Sequence, residues 1–245
     1  MVQIQFVGSG DAFGSGGRAQ TCISVRSGDE HLLVDCGATS LTALKAQGID
    51  PGSVTGVVIT HLHGDHFGGL PFLILDGQFR RRTAPLTVLG PPGTRERLRA
   101  AMEVLFPGSS TVERRFQVEM FELTPDGTPA QLGEAVVRGW EVDHACGAPP
   151  LAVRLELHGK AFGYSGDTAW TEALATAAAG TSVFAIEAYT FNKPVRYHLD
   201  YATLREHASD LATDRLILTH MSHDMLDRLG EADHGAAHDG LTITG

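Results

Sequence analysis

The chain has 245 residues, and 42% of them are hydrophobic, enough apolar side chain for one large core or two small ones. Its formal net charge of −10 argues against a broad, non-specific nucleic-acid surface, because neutralising phosphates requires clustered lysine and arginine. No stretch approaches the roughly 18–20 apolar residues of a membrane-spanning helix, so no membrane partner is expected.

In chain order, strand-like runs of apolar and β-branched residues recur along the whole sequence. They cover residues 2–7, 21–25, 31–35, 54–60, 85–89, 116–122, 135–142, 151–157, 160–164, 182–187, 215–219 and 241–244. Three helices are predicted between these runs. The first has Thr94 as its cap and ends at Pro107-Gly108, and the second covers the alanine-rich residues 169–179. The third covers residues 201–212, with Asp200 as its cap. This order predicts two packed sheets with helices outside, in one domain with two similar halves.

The N-terminus and the cysteines indicate in which cellular compartment the protein is expected. The first residues already form a strand pattern, without the basic segment and cleavage site of an export signal. The three cysteines, Cys22, Cys36 and Cys146, are odd in number and lack metal-type spacing, which fits free thiols in a reducing compartment. We therefore expect a cytoplasmic protein. Cys146, two residues after His144, is either a thiol near a metal or, more simply, a buried or peripheral one.

Metal-ligand side chains form four short islands. The first, Thr60-His61-Leu62-His63-Gly64-Asp65-His66, follows an apolar run directly, and the others are His144, Asp167 and His220. Imidazole and carboxylate are ligands that zinc and related ions accept. A structural zinc site needs four ligands, whereas these candidates suffice for two ions, and two ions about 3.5–4 Å apart form a catalytic arrangement. The competing interpretation of the first island is a polar loop that caps the next helix.

The motif His61-x-His63-x-Asp65-His66 resembles the hallmark loop of the metallo-β-lactamase fold superfamily, and the segments 8–10, 35–37 and 68–70 extend the resemblance over nearly the whole chain. The resemblance implies an α+β fold, a four-layer αββα sandwich, with residues 1–245 as a single hydrolase domain. It also implies two divalent metal ions, with Zn²⁺ as the default and Mn²⁺ or Fe as alternatives. The implied ligands are His61, His63 and His144 for one ion, Asp65, His66 and His220 for the other, and Asp167 as a bridge. Asp35 would organise the loop beneath the metals.

A second segment resembles one branch of this superfamily. Residues 186–190, followed by His198, look like the part of ribonuclease Z-type phosphodiesterases that supplies a Glu–His pair. By this resemblance His198 is a general acid, Glu187 orients its imidazole, and Asp65 helps to position or deprotonate the metal-bound water. The alternative for His198 is a surface histidine that caps the helix starting at 201. Asp200 stands where this branch usually has Ser or Thr.

The spacing of the later islands bears on the substrate. Ribonuclease Z enzymes that process transfer RNA carry a long arm, often between the equivalents of His144 and Asp167. Here that interval reads as two short strands joined by His158-Gly159-Lys160, which leaves no room for an arm and makes transfer RNA a poor candidate. The expected function is therefore hydrolysis of a small phosphodiester, foremost a cyclic nucleotide, by attack of a metal-bridging hydroxide. A homodimer is also implied by the resemblance.

Several alternatives stay open from the sequence. On the same scaffold they are a lactonase, a thioesterase or an RNA endonuclease without the arm, and outside hydrolysis they are a non-catalytic metal-binding module and a di-iron redox protein. Residues proposed for substrate contact are Phe67, Phe72, Tyr189, Phe191 and Tyr197 for stacking, and Lys193 or Arg196 for phosphate. Residues 80–115 hold eight arginines against three glutamates. This segment is an anion-facing patch beside the active site, a solvated helix face or part of a subunit contact.

Overall fold

The structure, a computed structural model, describes residues 1–244, in which fourteen strands and seven α-helices follow one another. The strands are β1 (Gln3–Gly8), β2 (Cys22–Ser27), β3 (Glu30–Val34), β4 (Gly56–Val58), β5 (Leu86–Gly90), β6 (Val118–Glu122), β7 (Ala130–Leu132), β8 (Ala135–Glu141), β9 (Leu151–Leu157), β10 (Lys160–Tyr164), β11 (Val183–Glu187), β12 (Leu216–Thr219), β13 (Gly235–Ala236) and β14 (Thr242–Thr244). The helices are α1 (Ser40–Ala46), α2 (Gly64–Phe67), α3 (Leu70–Phe79), α4 (Thr94–Leu105), α5 (Glu172–Ala178), α6 (Tyr201–His207) and α7 (His223–Asp227).

The described strands form two sheets of seven. The first has the order β14-β1-β2-β3-β4-β5-β6, and the second has the order β13-β12-β11-β10-β9-β8-β7. Strands β3 to β6 are mutually parallel in the first sheet, as are β10 to β13 in the second. The remaining neighbours are antiparallel, and most of them are consecutive strands joined as hairpins.

Three apolar clusters hold the layers together. One lies between the sheets and includes Phe6, Leu155 and Tyr164. The outer face of the first sheet packs against α1, α3 and α4, and the outer face of the second packs against α5, α6 and α7. The layer order is therefore helix, sheet, sheet, helix, which confirms the predicted αββα sandwich.

The predicted elements differ from the structure mainly at their ends. Each of the twelve predicted strands is present, and the helix predicted over 201–212 ends at His207 because residues 208–210 form a separate short 3₁₀ turn. Thr94 is not the cap of α4. Gly93, with φ 89°, takes that position, and the Thr94 hydroxyl donates to the Pro91 carbonyl at 2.6 Å. Asp200 does cap α6, since its carboxylate accepts from the backbone N–H of Thr203 at 2.9 Å.

Among residues 1–244, no helix combines the length and the apolar character needed to cross a membrane.

Candidate metal centre

Loops at one edge of the sandwich hold all seven candidate ligands. The first island follows β4 and runs into α2, while His144 follows β8, Asp167 follows β10 and His220 follows β12. These strands point the same way within their sheets, so their carboxyl ends, where sites of α/β sheets form, meet at the same edge. The fold thus brings together residues that are far apart in sequence.

The ligand atoms fall into two adjacent groups. His61, His63 and His144 form one, in which each residue offers an atom within 4.8 Å of the others. His144 Nε2 lies 3.1 Å from His63 Nδ1. The second group meets the same 4.8 Å criterion and contains Asp65, His66, Asp167 and His220.

Asp167 lies between the two groups. Its Oδ2 is 3.9 Å from His61 Nε2 and 3.4 Å from His220 Nε2, and its Oδ1 is 3.2 Å from His66 Nε2. One carboxylate therefore reaches ligand atoms of both groups, which is the position a bridging ligand requires.

Buried polar atoms without hydrogen-bond partners indicate that these residues can hold divalent cations. His61 Nε2, His66 Nε2 and Asp167 Oδ1 are buried and make no hydrogen bond with the rest of the described chain. Burying polar atoms without partners is costly, so these three atoms, which belong to the two ligand groups, require compensation. Nitrogen and carboxylate oxygen are ligands for zinc, manganese and iron, and cations held by these residues would supply that compensation.

Hydrogen bonds behind the histidines fix which ring nitrogen faces the centre. His66 Nδ1 donates to Asp35 at 2.6 Å, and the Thr60 hydroxyl, 3.1 Å from His61 Nδ1, donates to the same carboxylate at 2.8 Å. The backbone N–H of Thr60 donates to the other Asp35 oxygen at 2.8 Å. Asp35 therefore lies beneath the metal loop and leaves the Nε2 atoms of both histidines free for a cation.

Three non-glycine residues at the site have left-handed backbones. These are Asp35 (φ 59°), Tyr197 (φ 68°) and His220 (φ 54°). Such a conformation costs on the order of 1–3 kcal/mol for a residue with a side chain and persists where surrounding contacts enforce it. The contacts are visible here, because the Tyr197 carbonyl accepts from His144 Nδ1 at 2.9 Å and the His220 N–H donates to the Ser9 carbonyl at 3.2 Å.

Burial and neighbouring charges set opposite protonation for the histidines. Burial lowers the pKa of His61 well below its ordinary value, and His66 lowers it further, so His61 is neutral, the form that binds a cation. Burial acts the same way on His220, but Asp167 and the hydrogen bond to Asp65 outweigh it and raise the pKa of His220 to about 10. A proton on His220 must leave when a cation binds, so cation affinity rises with pH.

Glu187 connects this centre to His198. Its Oε1 accepts from His198 Nδ1 at 2.6 Å and from His220 Nδ1 at 3.1 Å. Its Oε2 accepts from the backbone N–H groups of Thr168 and Leu199, at 2.9 and 3.2 Å. The carboxylate is fully buried at the end of β11, and it holds both imidazoles in place.

The structure separates the proposed substrate-contact residues. Tyr189 lies against His198, with ring centroids 4.7 Å apart, and Arg196 lies over the ring of Tyr197 at 4.4 Å. Three others pack against hydrophobic neighbours. Phe67 and Phe191 are buried, and Phe72 packs on Phe106. Lys193 and Arg196 are exposed.

Other residues at the site had little or no signal in the sequence. The Tyr197 carbonyl and the Thr60 hydroxyl act through hydrogen bonds that only the fold reveals. Asp239, near the end of the chain, accepts from the N–H and hydroxyl of Ser9, whose carbonyl accepts from His220. Cys146 is buried, its thiol donates to the Ala148 carbonyl at 3.0 Å, and it belongs to none of the possible metal-binding groups of residues 1–244.

Known proteins resemble this chain in sequence and in fold. A ribonuclease Z of Mycolicibacterium gilvum is 29% identical over 245 residues, covering 90% of this chain and 84% of that protein. A ribonuclease Z of Mycobacterium marinum is 30% identical over 190 residues, covering 74% of this chain and 68% of that protein. The crystal structure of the metallo-β-lactamase fold protein YhfI from Bacillus subtilis superposes with a TM-score of 0.81, at 17% identity and complete coverage of both chains.

The family model of the anti-Pycsar protein Apyc1 matches residues 2–237. The match covers every strand except β14 and includes all seven candidate ligands. The chain therefore belongs to the family of the anti-Pycsar protein Apyc1, in the ribonuclease Z-like branch of the metallo-β-lactamase fold superfamily.

Proposed function

We propose that the protein is a metal-dependent phosphodiesterase that hydrolyses a small phosphodiester, foremost a cyclic nucleotide. The observation that supports this most directly is the Glu187 carboxylate, which joins His198 to the candidate ligand His220 within 3.1 Å. This arrangement holds a proton donor beside the metal centre. A phosphodiester needs such a donor, because the departing alkoxide is a strong base.

The candidate ligands would hold the cations that this hydrolysis requires. His61, His63 and His144 would hold one cation, Asp65, His66 and His220 a second, and Asp167 would contact both. Divalent cations held there would lower the pKa of a water molecule and neutralise charge on the phosphoryl oxygens. Asp65, with its Oδ2 3.2 Å from His66 Nε2 and 3.3 Å from His220 Nε2, is placed to orient that water.

His198 would deliver the proton to the leaving oxygen. Its Nδ1 is occupied by Glu187, so Nε2 is the ring nitrogen left for substrate. Burial lowers the pKa of His198, but the hydrogen bond and the negative charge of Glu187 outweigh burial and raise that pKa above 6.5. A substantial fraction of His198 therefore stays protonated near neutral pH, as a general acid requires. Tyr189 packs against the imidazole and limits its rotation.

The segment between His144 and Asp167 supports a small substrate. Residues 151–164 form the hairpin β9–β10 in the middle of the second sheet and do not project from the molecule. This part of the chain therefore provides no extended surface that a large RNA could bind. A small diester needs only the metal centre and the residues around it. A ribonuclease Z-like RNA endonuclease is the second candidate, because the similar proteins of M. gilvum and M. marinum carry that name.

The proposal is tested by a substrate screen of the metal-loaded protein. The panel contains cyclic nucleotides, linear dinucleotides, a precursor transfer RNA, a lactone and a thioester. We expect hydrolysis of cyclic nucleotides to be fastest. Faster turnover of the lactone or thioester would overturn the phosphodiesterase assignment, and faster cleavage of the RNA would favour the second candidate.

Variants tie any activity to the proposed centre. Asp167→Ala should abolish hydrolysis and lower the bound metal measured by elemental analysis, because it removes the ligand shared by both groups. His207→Ala is the matched control, since His207 stacks on Trp170, pairs with Asp210 and belongs to none of the possible metal-binding groups of residues 1–244. Full activity in Asp167→Ala would exclude a dinuclear mechanism.

A further inference from the structure

We propose that a second site, remote from the metal centre, binds a small organic anion with an apolar body. The site is a cavity of about 290 Å³ between α3, α4 and the edge strand β6, hereafter the α4 cavity. None of its lining residues is a candidate metal ligand. Its volume is close to the lower end of known small-molecule sites.

The floor of the α4 cavity is apolar. Leu98 and Met102, one turn apart on α4, face Phe116 and the inward side chains of β6, Val118 and Met120. β6 is the last strand of the first sheet, so no further strand of residues 1–244 pairs with its outer edge. The cavity is therefore open to a ligand and lined to bury an apolar group.

Three arginines surround this apolar floor. Arg95 and Arg99 lie on the same face of α4 as Leu98 and Met102, and Arg114 approaches from the segment before β6. None of the three takes part in an ion pair in the part of the chain that the structure describes, whereas Arg80, Arg154, Arg205 and Arg228 all do. Converging unpaired guanidinium groups are unexpected in a protein with a net charge of −10.

The nearby hydrogen bonds leave the arginines available. Glu103, four residues after Arg99, accepts instead from the backbone N–H groups of Gly108 and Ser110, at 2.8 and 3.1 Å. Arg95 donates one bond to the Met120 carbonyl at 2.6 Å, and Arg114 donates to the carbonyls of Ser109 and Val112. The carbonyl partners of Arg95 and Arg114 are neutral, and Glu103, although its charge lies near Arg99, makes no ion pair with it within residues 1–244. Positive charge is therefore left for a ligand.

This pattern identifies the ligand by its chemistry. A carboxylate, sulfonate or phosphate group would pair with Arg95 and Arg99, because guanidinium recognises such oxygens through paired N–H donors. An aromatic or aliphatic body would cover Leu98, Met102 and Phe116. Three of the eight arginines in residues 80–115 therefore line this cavity, and the other five do not.

Fluorescence titration with anilinonaphthalene sulfonate tests the proposal on the full-length, metal-loaded protein. This probe joins an anionic group to two aromatic systems and becomes fluorescent in apolar surroundings. We expect saturable binding at one site per chain. The double variant Arg95→Gln/Arg99→Gln should bind at least tenfold more weakly, since each guanidinium contributes a charge-assisted hydrogen bond.

Matched controls locate the site. Arg97→Gln, on the same helix but facing away from the cavity, should bind the probe like the unaltered chain. Val118→Trp should fill the cavity and lower its affinity for the probe. N-phenylnaphthylamine is the same molecule without the sulfonate, and it should bind weakly and equally to Arg97→Gln and to the double variant. The proposal is overturned if the probe does not bind, if Arg97→Gln weakens binding as much as the double variant, or if Val118→Trp leaves it unchanged.

Discussion

Glu187 links two tasks that are usually assigned to different residues. It positions His220, a candidate cation ligand, and it holds His198, the proposed proton donor, through the same oxygen. A carboxylate shared in this way keeps the donor at a fixed place relative to the cations. All four of these side-chain hydrogen bonds come from N–H groups, which the two oxygens of Glu187 accept.

The role of His198 predicts a dependence on the leaving group. His198→Gln should slow hydrolysis of a cyclic nucleotide by roughly 10²–10⁴-fold, because its alkoxide must be protonated as it leaves. Hydrolysis of bis-nitrophenyl phosphate should fall far less, since nitrophenolate leaves without a proton. Steady-state rates with both substrates give the comparison, and bound metal should stay at the level of the unaltered chain. Equal loss on both substrates would contradict the general-acid role.

His31 predicts an acid sensitivity that is independent of the metal centre. It is buried between Ser24 and Ser53, at 2.9 and 2.8 Å. Burial, with a contribution from Arg26, lowers the pKa of His31 to about 3. Below pH 6.5 the unfolded chain takes up a proton that the folded chain does not, so folding stability falls with pH from 6.5 towards 3. At pH 5.5 the loss should reach about 1.4 kcal/mol.

The measurement compares urea unfolding at pH 7.5 and pH 5.5 in the unaltered chain and in His31→Gln. The variant has no group that titrates at this position, so the difference between the two chains isolates the histidine. A loss of stability that is equal in both chains would show that His31 is protonated in the folded state.

At the level of helices and strands, periodicity predicted most of what was found. The strands that flank the site have β-branched runs of ordinary length, so their presence and order were predictable. Helix α3 was not, because its sequence LPFLILDGQF is apolar nearly throughout and shows no helical stripe. Strands β7 and β13, of three and two residues, are too short to produce a pattern and exist through pairing with β8 and β12.

The same limit applies to the site. His61, His63, Asp65 and His66 were predictable because four metal-ligand side chains in one short loop after a strand rarely serve a purely structural purpose. His144, Asp167 and His220 were assigned as ligands by resemblance to the superfamily. The left-handed backbones at Tyr197 and His220, and the support from Ser9 and Asp239, depend on contacts between distant segments. No local pattern encodes them. The homodimer expected from the resemblance stays a prediction.

The cap of α6 predicts an effect on stability at the level of one helix. Asp200 accepts from both the N–H and the hydroxyl of Thr203, at 2.9 and 2.8 Å. Asp200→Ala should lower the free energy of unfolding by about 1 kcal/mol, because a first-turn N–H loses its partner. Asp200→Asn keeps an acceptor oxygen, so it should lower the free energy of unfolding by only part of this amount. Urea unfolding measures both, and identical losses in the two variants would show that capping is not the cause.

The two sheets are joined at the metal centre as well as through the core. His61, His63, Asp65 and His66 follow a strand of the first sheet, while His144, Asp167 and His220 follow strands of the second. Cations bound here would tie the two halves together, and binding only to the folded chain raises its stability by mass action. At a free metal concentration of 100 times the dissociation constant, the gain is about 2.7 kcal/mol. For a chain of this size the melting temperature should then rise by roughly 5–11 °C.

Thermal unfolding followed by circular dichroism, with the chelated and the zinc-loaded protein, measures this gain. Asp167→Ala should lose most of the rise, because it removes the ligand that reaches both groups and both sheets. His207→Ala should keep all of it. The rise should also shrink as the pH is lowered, because His220, with a pKa of about 10, must release its proton before a cation can bind. If zinc raises the melting temperature of Asp167→Ala by the same amount, then zinc stabilises the protein at another place and this centre does not join the two sheets.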